Sequence, residues 1–205
     1  RGDDNFCASY GIRGAATDGG YAELTKAETR DALLLPPGVS FEEAAAFPLV
    51  FLTAWHMLVT RAKLQTGETV LVHAAGSGVG HAAIQIAKYL GARVYTTVGS
   101  DAKIPKAKAL GADEVINYQR EDFEARVQAL TKNRGLDVVF EHIGPTTWEK
   151  SVRVLAKGGR LVTCGATSGP SVPLDLRYVF SRQLTILGSM MGTRVELKAV
   201  TELIG

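Results

Sequence analysis

The stretch Val70-Leu71-Val72-His73-Ala74-Ala75-Gly76-Ser77-Gly78-Val79-Gly80 runs an apolar, β-branched segment directly into a glycine-rich turn, and residues 82–90 continue with helical period. Glycines let such a turn be sharp and let the backbone approach a ligand without a Cβ in the way. The unpaired N–H groups at the helix start then favour an anion. The expectation is a pyrophosphate held by Ala75, Gly76, Ser77, Gly78 and Val79, with Gly80 where the helix packs on the strand. The match to GxGxxG is offset. With Gly80 as the last glycine, Ala75 and Ser77 fill the first two positions and Gly76 and Gly78 lie beside them. Such a motif gains meaning only from its strand, turn and helix context.

That context repeats along the chain. Short apolar runs at residues 69–73, 93–98, 114–116, 137–140, 160–164 and 184–187 alternate with helix-like segments at 80–90, 101–110, 121–131 and 145–155. Strands that read as continuous apolar runs between helices predict an α/β fold, a doubly wound parallel sheet covered on both faces. Six strands in this rhythm fit a dinucleotide-binding domain. Upstream the grammar differs. Ser40 followed by Glu43 forms a capping box that opens a helical stretch at Phe41. Residues 1–40 are turn-rich, with short strands expected at 21–25 and 32–35. The chain thus divides into 1–40, a connecting helical segment 41–63, and the nucleotide-binding domain 64–205.

The end of the second strand bears on the type of coenzyme. An NAD site usually places Asp or Glu there for the ribose 2′-OH, but this strand finishes Thr97-Val98-Gly99-Ser100. Asp101 is expected to cap the next helix. Ser100 and Lys103 could instead hold a 2′-phosphate, which favours NADP(H) and leaves NAD(H) as the alternative. The competing reading is a solvated face of Lys103, Lys106 and Lys108. His142-Ile143-Gly144 and Gly165-Ala166-Thr167 follow later strands, so both loops are expected beside the coenzyme. Two other classes stay open: a non-catalytic NADPH-binding protein, and an S-adenosylmethionine-dependent methyltransferase, whose fold also sets glycines after its first strand.

Composition narrows the field. In 205 residues, 23 Lys and Arg against 21 Asp and Glu leave +2, so no global field recruits nucleic acid or an anionic membrane. No apolar run has the length of a membrane span, since Pro48 and His56 interrupt residues 44–59. Cys7 and Cys164 lie far apart without CxxC spacing, which excludes a disulfide framework and makes the cytoplasm the default compartment. His56, His73, His81 and His142 are scattered without metal-site spacing, and most are expected to be structural. Cys164 is expected to be a small core residue.

Asp18-Gly19-Gly20-Tyr21-Ala22-Glu23, Phe41-Glu42-Glu43-Ala44-Ala45-Ala46, Leu52-Thr53-Ala54-Trp55, the turn from Ala74 to Gly80, Ala107-Lys108-Ala109-Leu110-Gly111-Ala112-Asp113 and Gly158-Gly159-Arg160 together resemble the medium-chain dehydrogenase/reductase family. The nearer likeness is to its bacterial zinc-binding alcohol dehydrogenase and quinone oxidoreductase branch. The resemblance implies a Rossmann coenzyme domain beside a remnant, residues 1–40, of a β-rich GroES-like catalytic domain. It also implies hydride transfer between a nicotinamide and a small carbonyl, alcohol, quinone or enone. Because the chain starts at Arg1, the upstream part of the catalytic domain is expected to be absent, leaving a piece that binds coenzyme without turnover. Thr53 resembles a residue near the nicotinamide, although a threonine there could simply bond back to its helix. Gly99, Ser100, Lys103 and Tyr118 resemble the adenosine-phosphate end of the site. Leu49 stands where a catalytic-zinc cysteine would be, which argues against that zinc. Cys7 resembles the last cysteine of a structural-zinc lobe whose partners would precede Arg1, so a free thiol is expected here. Residues 184–188 resemble an edge strand that pairs with a second copy, which implies a homodimer.

Overall fold

The computed structural model describes residues 4–204. Two short helices, α1 (Phe41–Ala46) and α2 (Pro48–Trp55), lead into a π-helical turn, His56–Arg61. There follow β1 (Thr69–Val72), α3 (Gly78–Tyr89), β2 (Arg93–Val98), α4 (Ile104–Ala109), β3 (Glu114–Asn117) and α5 (Phe123–Thr131). The chain continues through β4 (Leu136–Glu141), α6 (Pro145–Arg153), β5 (Leu155–Thr163), α7 (Leu176–Arg182), β6 (Thr185–Gly188) and α8 (Arg194–Ile204).

The strands form one parallel sheet in the order β3-β2-β1-β4-β5-β6, so the winding direction reverses between β1 and β4. Alternate residues of each strand enter different cores. Val70, Val72, Val94, Val98, Val138 and Phe140 pack with Ala83, Ile84 and Ala87 of α3. Leu71, Tyr95, Ile116, Val139 and Leu161 pack with Val127 of α5 and Trp148 and Val152 of α6. Both faces are apolar, which is why the strands read as uninterrupted apolar runs rather than as alternation. Burial of each such Val, Leu or Phe contributes about 1.5–3 kcal/mol. The alanines on α3 let it approach the sheet closely.

The capping box at Ser40 forms as expected: the Glu43 amide donates to Ser40 Oγ, and the Ser40 amide donates to Glu43 Oε2 at 2.9 Å. Three expectations change. β5 begins at Leu155 rather than residue 160, and a register shift against β4 between Leu136 and Val138 accommodates the extra residues around Gly158 and Gly159. The helix expected over 101–110 splits into a 3-10 turn, Asp101–Lys103, and α4, with Pro105 in the first turn of α4. Residues 21–25 and 32–35 form no strands. Among the described residues of the first forty, pairing is limited to an isolated bridge between Arg13 and Thr17, and Tyr21, Leu24 and Leu34 are exposed. A strand gains its stability from neighbours on a pleated surface, and none lies beside these segments.

His56 is structural, as expected. Its Nδ1 lies 2.9 Å from both carboxylate oxygens of Glu196, tying the π-helical turn to α8. Burial alone would raise the Glu196 carboxyl, but hydrogen bonds from His56, Thr60 and the Thr193 amide outweigh it and hold the pKa at about 2. No helix among the described residues is long and apolar enough to cross a membrane.

Candidate functional site

β1 ends at the winding reversal, where ligands bind beyond the carboxyl ends of parallel strands. Ala74 leaves the strand with φ 53°, its amide donating to Thr97 Oγ1 at 2.9 Å, and the Ala75 amide donates to the Thr97 carbonyl at 3.0 Å. Ala75 is buried, while Gly76 and Gly78 are exposed and Ser77 and Val79 are half-buried. Ser77 caps α3, its Oγ accepting from the Gly80 amide at 3.0 Å. Gly80 is the residue on which the turn depends, because a Cβ there would collide with the Ala74 carbonyl oxygen. Of the first N–H groups of α3, that of Gly80 is taken by Ser77 Oγ, and those of Gly78 and Val79 have no acceptor within the helix.

The β2 and β3 tips make one flank. Lys103 leans over the turn, its Nζ 3.7 Å from where a Cβ on Gly76 would sit. The Tyr118 hydroxyl stands 2.6 Å from where a Cβ on Gly99 would be, so Gly99 leaves room for that phenol. Ser100, not Asp101, occupies the cap position of the 3-10 turn and makes no side-chain capping bond. Asp101 has other partners: Asn117 Nδ2 donates to its Oδ1 at 2.7 Å, and Arg120 pairs with Oδ2. Sequence reasoning missed Asn117 and Arg120, which fall just after an apolar run and carry no spacing signal.

The β4 and β5 tips make the other flank, around a buried carboxylate that the sequence reading passed over. Glu141 Oε1 accepts from the amides of His142, Ile143 and Gly144 at 2.9, 2.7 and 3.2 Å. Thr147 Oγ1 donates to Oε2 at 2.9 Å, and Ser151 Oγ donates to Oε2 at 2.9 Å. Burial would raise this carboxyl, but the hydrogen bonds from the Ile143 amide, Ser151 and Thr147 oppose it, leaving it below its usual range. His73 Nε2 lies 2.9 Å from Ser151 Oγ. Burial, opposed by Glu141 and assisted by His142, lowers the His73 pKa to about 4, so the imidazole is neutral at pH 7. A single carboxylate closing an apolar strand, Val138-Val139-Phe140-Glu141, was the available signal.

His142 is buried, and its Nε2 reaches the His73 carbonyl at 3.1 Å and Ser77 Oγ at 3.5 Å, joining this flank to the glycine turn. Ile143 is half-buried, and its carbonyl accepts from Ser168 Oγ at 2.8 Å. Gly165 and Ala166 are exposed in the facing loop, where a Cβ on Gly165 would stand 2.9 Å from the His142 carbonyl. Cys164 packs against the core, and burial pushes its thiol up to about 11.

Thr53 is buried, and its hydroxyl donates to the Leu49 carbonyl at 2.7 Å, the bond back to the helix. The α2 side chain that reaches the turn is Val50, whose Cγ1 lies 2.7 Å from where a Cβ on Gly78 would be. Leu49 is exposed, and Cys7 is an exposed free thiol. Among the described residues, no three His, Cys, Asp or Glu side chains gather as a metal site. His81 is exposed on α3.

The family described as zinc-binding dehydrogenase matches residues 78–205. The chain belongs to the zinc-binding dehydrogenases, within the medium-chain dehydrogenase/reductase family. It is 37% identical over 183 residues to the quinone oxidoreductase of Salmonella typhimurium, covering 89% of this chain and 54% of that one. Against the crystal structure of an NAD-dependent alcohol dehydrogenase, the TM-score is 0.91 at 44% identity, over 98% of this chain and 59% of the other. The 2-octenoyl-CoA carboxylase reductase CinF, solved with NADP and 2-octenoyl-CoA, superposes with a TM-score of 0.77 at 34% identity, over 84% and 43%. The chain thus spans little more than half the length of the quinone oxidoreductase and alcohol dehydrogenase relatives it matches.

Proposed function

We propose that this chain is the coenzyme-binding part of an NAD(P)-dependent oxidoreductase of the alcohol dehydrogenase and quinone oxidoreductase type, with NADP(H) preferred. The observation that carries the reading is the open glycine turn at the winding reversal, with Lys103 Nζ 3.7 Å from the Gly76 Cβ position. The residues fit a dinucleotide: the turn offers backbone rather than side chains, a cation stands beside it, and the Tyr118 phenol stands against Gly99 at the β2 tip. The preference for the 2′-phosphate is supported by the absence of a carboxylate at residues 98–100 and by Asp101 being engaged with Asn117 and Arg120.

A bound nicotinamide coenzyme supplies hydride chemistry at C4. The residues of this chain do the rest. The amides of Gly76, Gly78 and Val79 hold the diphosphate, while those of Ala75 and Ser77 are spent on the Thr97 and Ala74 carbonyls and shape the turn; Ser100 and Lys103 hold the 2′-phosphate, and residues 142–143 and 165–166 line the nicotinamide side and keep water away. The substrate class is a small carbonyl, alcohol, quinone or enone. We also propose a homodimer through the open edge of β6, where Ile186 and Leu187 are half-buried.

Titration calorimetry with NADPH and NADH tests the coenzyme reading. NADPH is expected to bind about tenfold tighter or better, a difference of about 1.4 kcal/mol. Tighter NADH overturns the preference, and binding of neither overturns the function. In a full-length protein carrying this chain, coenzyme binding without transfer of deuterium from labelled NADPH to a small enone would mark a non-catalytic NADPH-binding protein. A strictly monomeric mass by light scattering overturns the dimer.

A further inference from the structure

The sheet order fixes which part of a dinucleotide meets which loop. With the diphosphate on the β1–α3 turn, an adenosine over β2 and β3 sends the other half of the coenzyme over β4 and β5. The first loop it meets there is His142-Ile143-Gly144, and all three amides of that loop converge on one carboxylate oxygen of Glu141. A loop with three consecutive donors spent on one oxygen is held in a single backbone arrangement. Two of its carbonyls, of His142 and Ile143, then hold the facing loop through Thr167 Oγ1 at 3.0 Å and Ser168 Oγ at 2.8 Å.

Glu141 also ends a directed hydrogen-bond chain. An ionised carboxylate only accepts, so Ser151 spends its proton on it and its oxygen must accept from His73 Nε2–H. His73 Nδ1 is then an acceptor for Thr97 Oγ1, 3.3 Å away, and Thr97 in turn accepts from the Ala74 amide at 2.9 Å. The chain runs from the first residue of the glycine turn to Glu141 through the tips of β2 and β1 and the middle of α6. Every bond in it points the same way, which fixes one tautomer and one hydroxyl orientation at each step.

We propose that Glu141 is a positioning residue for the nicotinamide half of the coenzyme: it holds the residue 142–144 loop in its binding form without touching the ligand. The inference rests on the coenzyme-binding reading above. Glu141→Gln keeps the shape but replaces one accepting oxygen with an amide donor that faces Ser151 or the loop N–H groups. A loss confined to fold stability would weaken every ligand alike, whereas a misplaced 142–144 loop weakens the ligands that reach it.

The test compares NADPH with adenosine 2′,5′-bisphosphate, which has the adenosine end but no nicotinamide, by calorimetry on wild type and Glu141→Gln. The expected result is a loss of about tenfold or more in NADPH affinity, with the bisphosphate changed less than about twofold. Equal losses for both ligands, or none for either, overturn the proposal. If Glu141→Gln does not fold by circular dichroism, Glu141→Asp, which keeps the charge but retracts it by one methylene, is measured in the same way and judged by the same ratio. A wild type that binds neither ligand overturns the coenzyme reading itself, whereas a wild type that binds both beside an unaffected variant overturns only the role of Glu141.

Discussion

The two flanks of the glycine turn are built in opposite ways. On the β2–β3 side, Lys103 and Tyr118 are exposed side chains that reach across glycines into open space, and Asp101, Asn117 and Arg120 pair near the surface. On the β4–β5 side, Glu141 and His73 are buried, every bond of the network is satisfied within the protein, and what faces outward is backbone. A flank made of solvated side chains can change its ligand preference by single substitutions at little cost in stability. One made of a buried ion and its donors cannot, because removing one partner strands the others.

The largest effect is expected where both flanks hang on one atom. Gly80→Val sets a branched side chain against the Ala74 carbonyl, moves α3 off β1, and is expected to abolish NADPH binding by calorimetry and to cost about 2–3 kcal/mol in urea denaturation.

Acid comes next and separates the flanks. The unfolded His73 takes up a proton near pH 6.5, whereas the folded one resists until about 4. Its contribution is therefore fully present above pH 6.5 and is lost as pH falls towards 4, about 2–3 kcal/mol across that window. Glu196, held at about 2, extends the loss from about pH 4.5 downward. Urea midpoints at pH 7, 5 and 4 measure this. His73→Gln should flatten the upper part of the fall, and an unchanged profile in that variant counts against the assignment.

Lys103→Ala sharpens the contrast from the other side. It is expected to weaken NADPH by about 1–2 kcal/mol while leaving stability within about 0.5 kcal/mol, since the side chain is exposed. NADH affinity should change far less, and equal losses for both coenzymes would remove Lys103 from the 2′-phosphate. The smallest effect is expected at the cap: Ser77→Gly should cost only a few tenths of a kcal/mol in stability, read as a slight shift of the urea midpoint.

How much of this could be read from sequence follows the same division. All six apolar runs became strands, with β5 starting five residues early at Leu155, and β1, β2 and β4 were the plainest because a strand buried on both faces has no freedom to be polar. The turn was legible through its glycines, and the helix start at Phe41 through Ser40 and Glu43. The two strands expected within residues 1–40 were misread because β-propensity at Tyr21 or Leu34 counts only against a neighbouring strand. The π-helical turn at His56–Arg61 left no mark within the helical segment expected over 41–63. Lys103 and Tyr118 were visible as residue types at a strand tip, whereas the role of Glu141 depends on three consecutive amides folding back onto it, a three-dimensional fact with no periodic trace. Its one mark was a lone charge ending a hydrophobic strand.

That lone charge has a last consequence. The start of α6, which like the start of α3 opens towards the rim, is already neutralised by an anion the protein carries itself. A doubly phosphorylated visitor therefore meets one vacant positive pole instead of two, and it can lie down in a single direction. Head and tail are told apart before any base or ring is recognised.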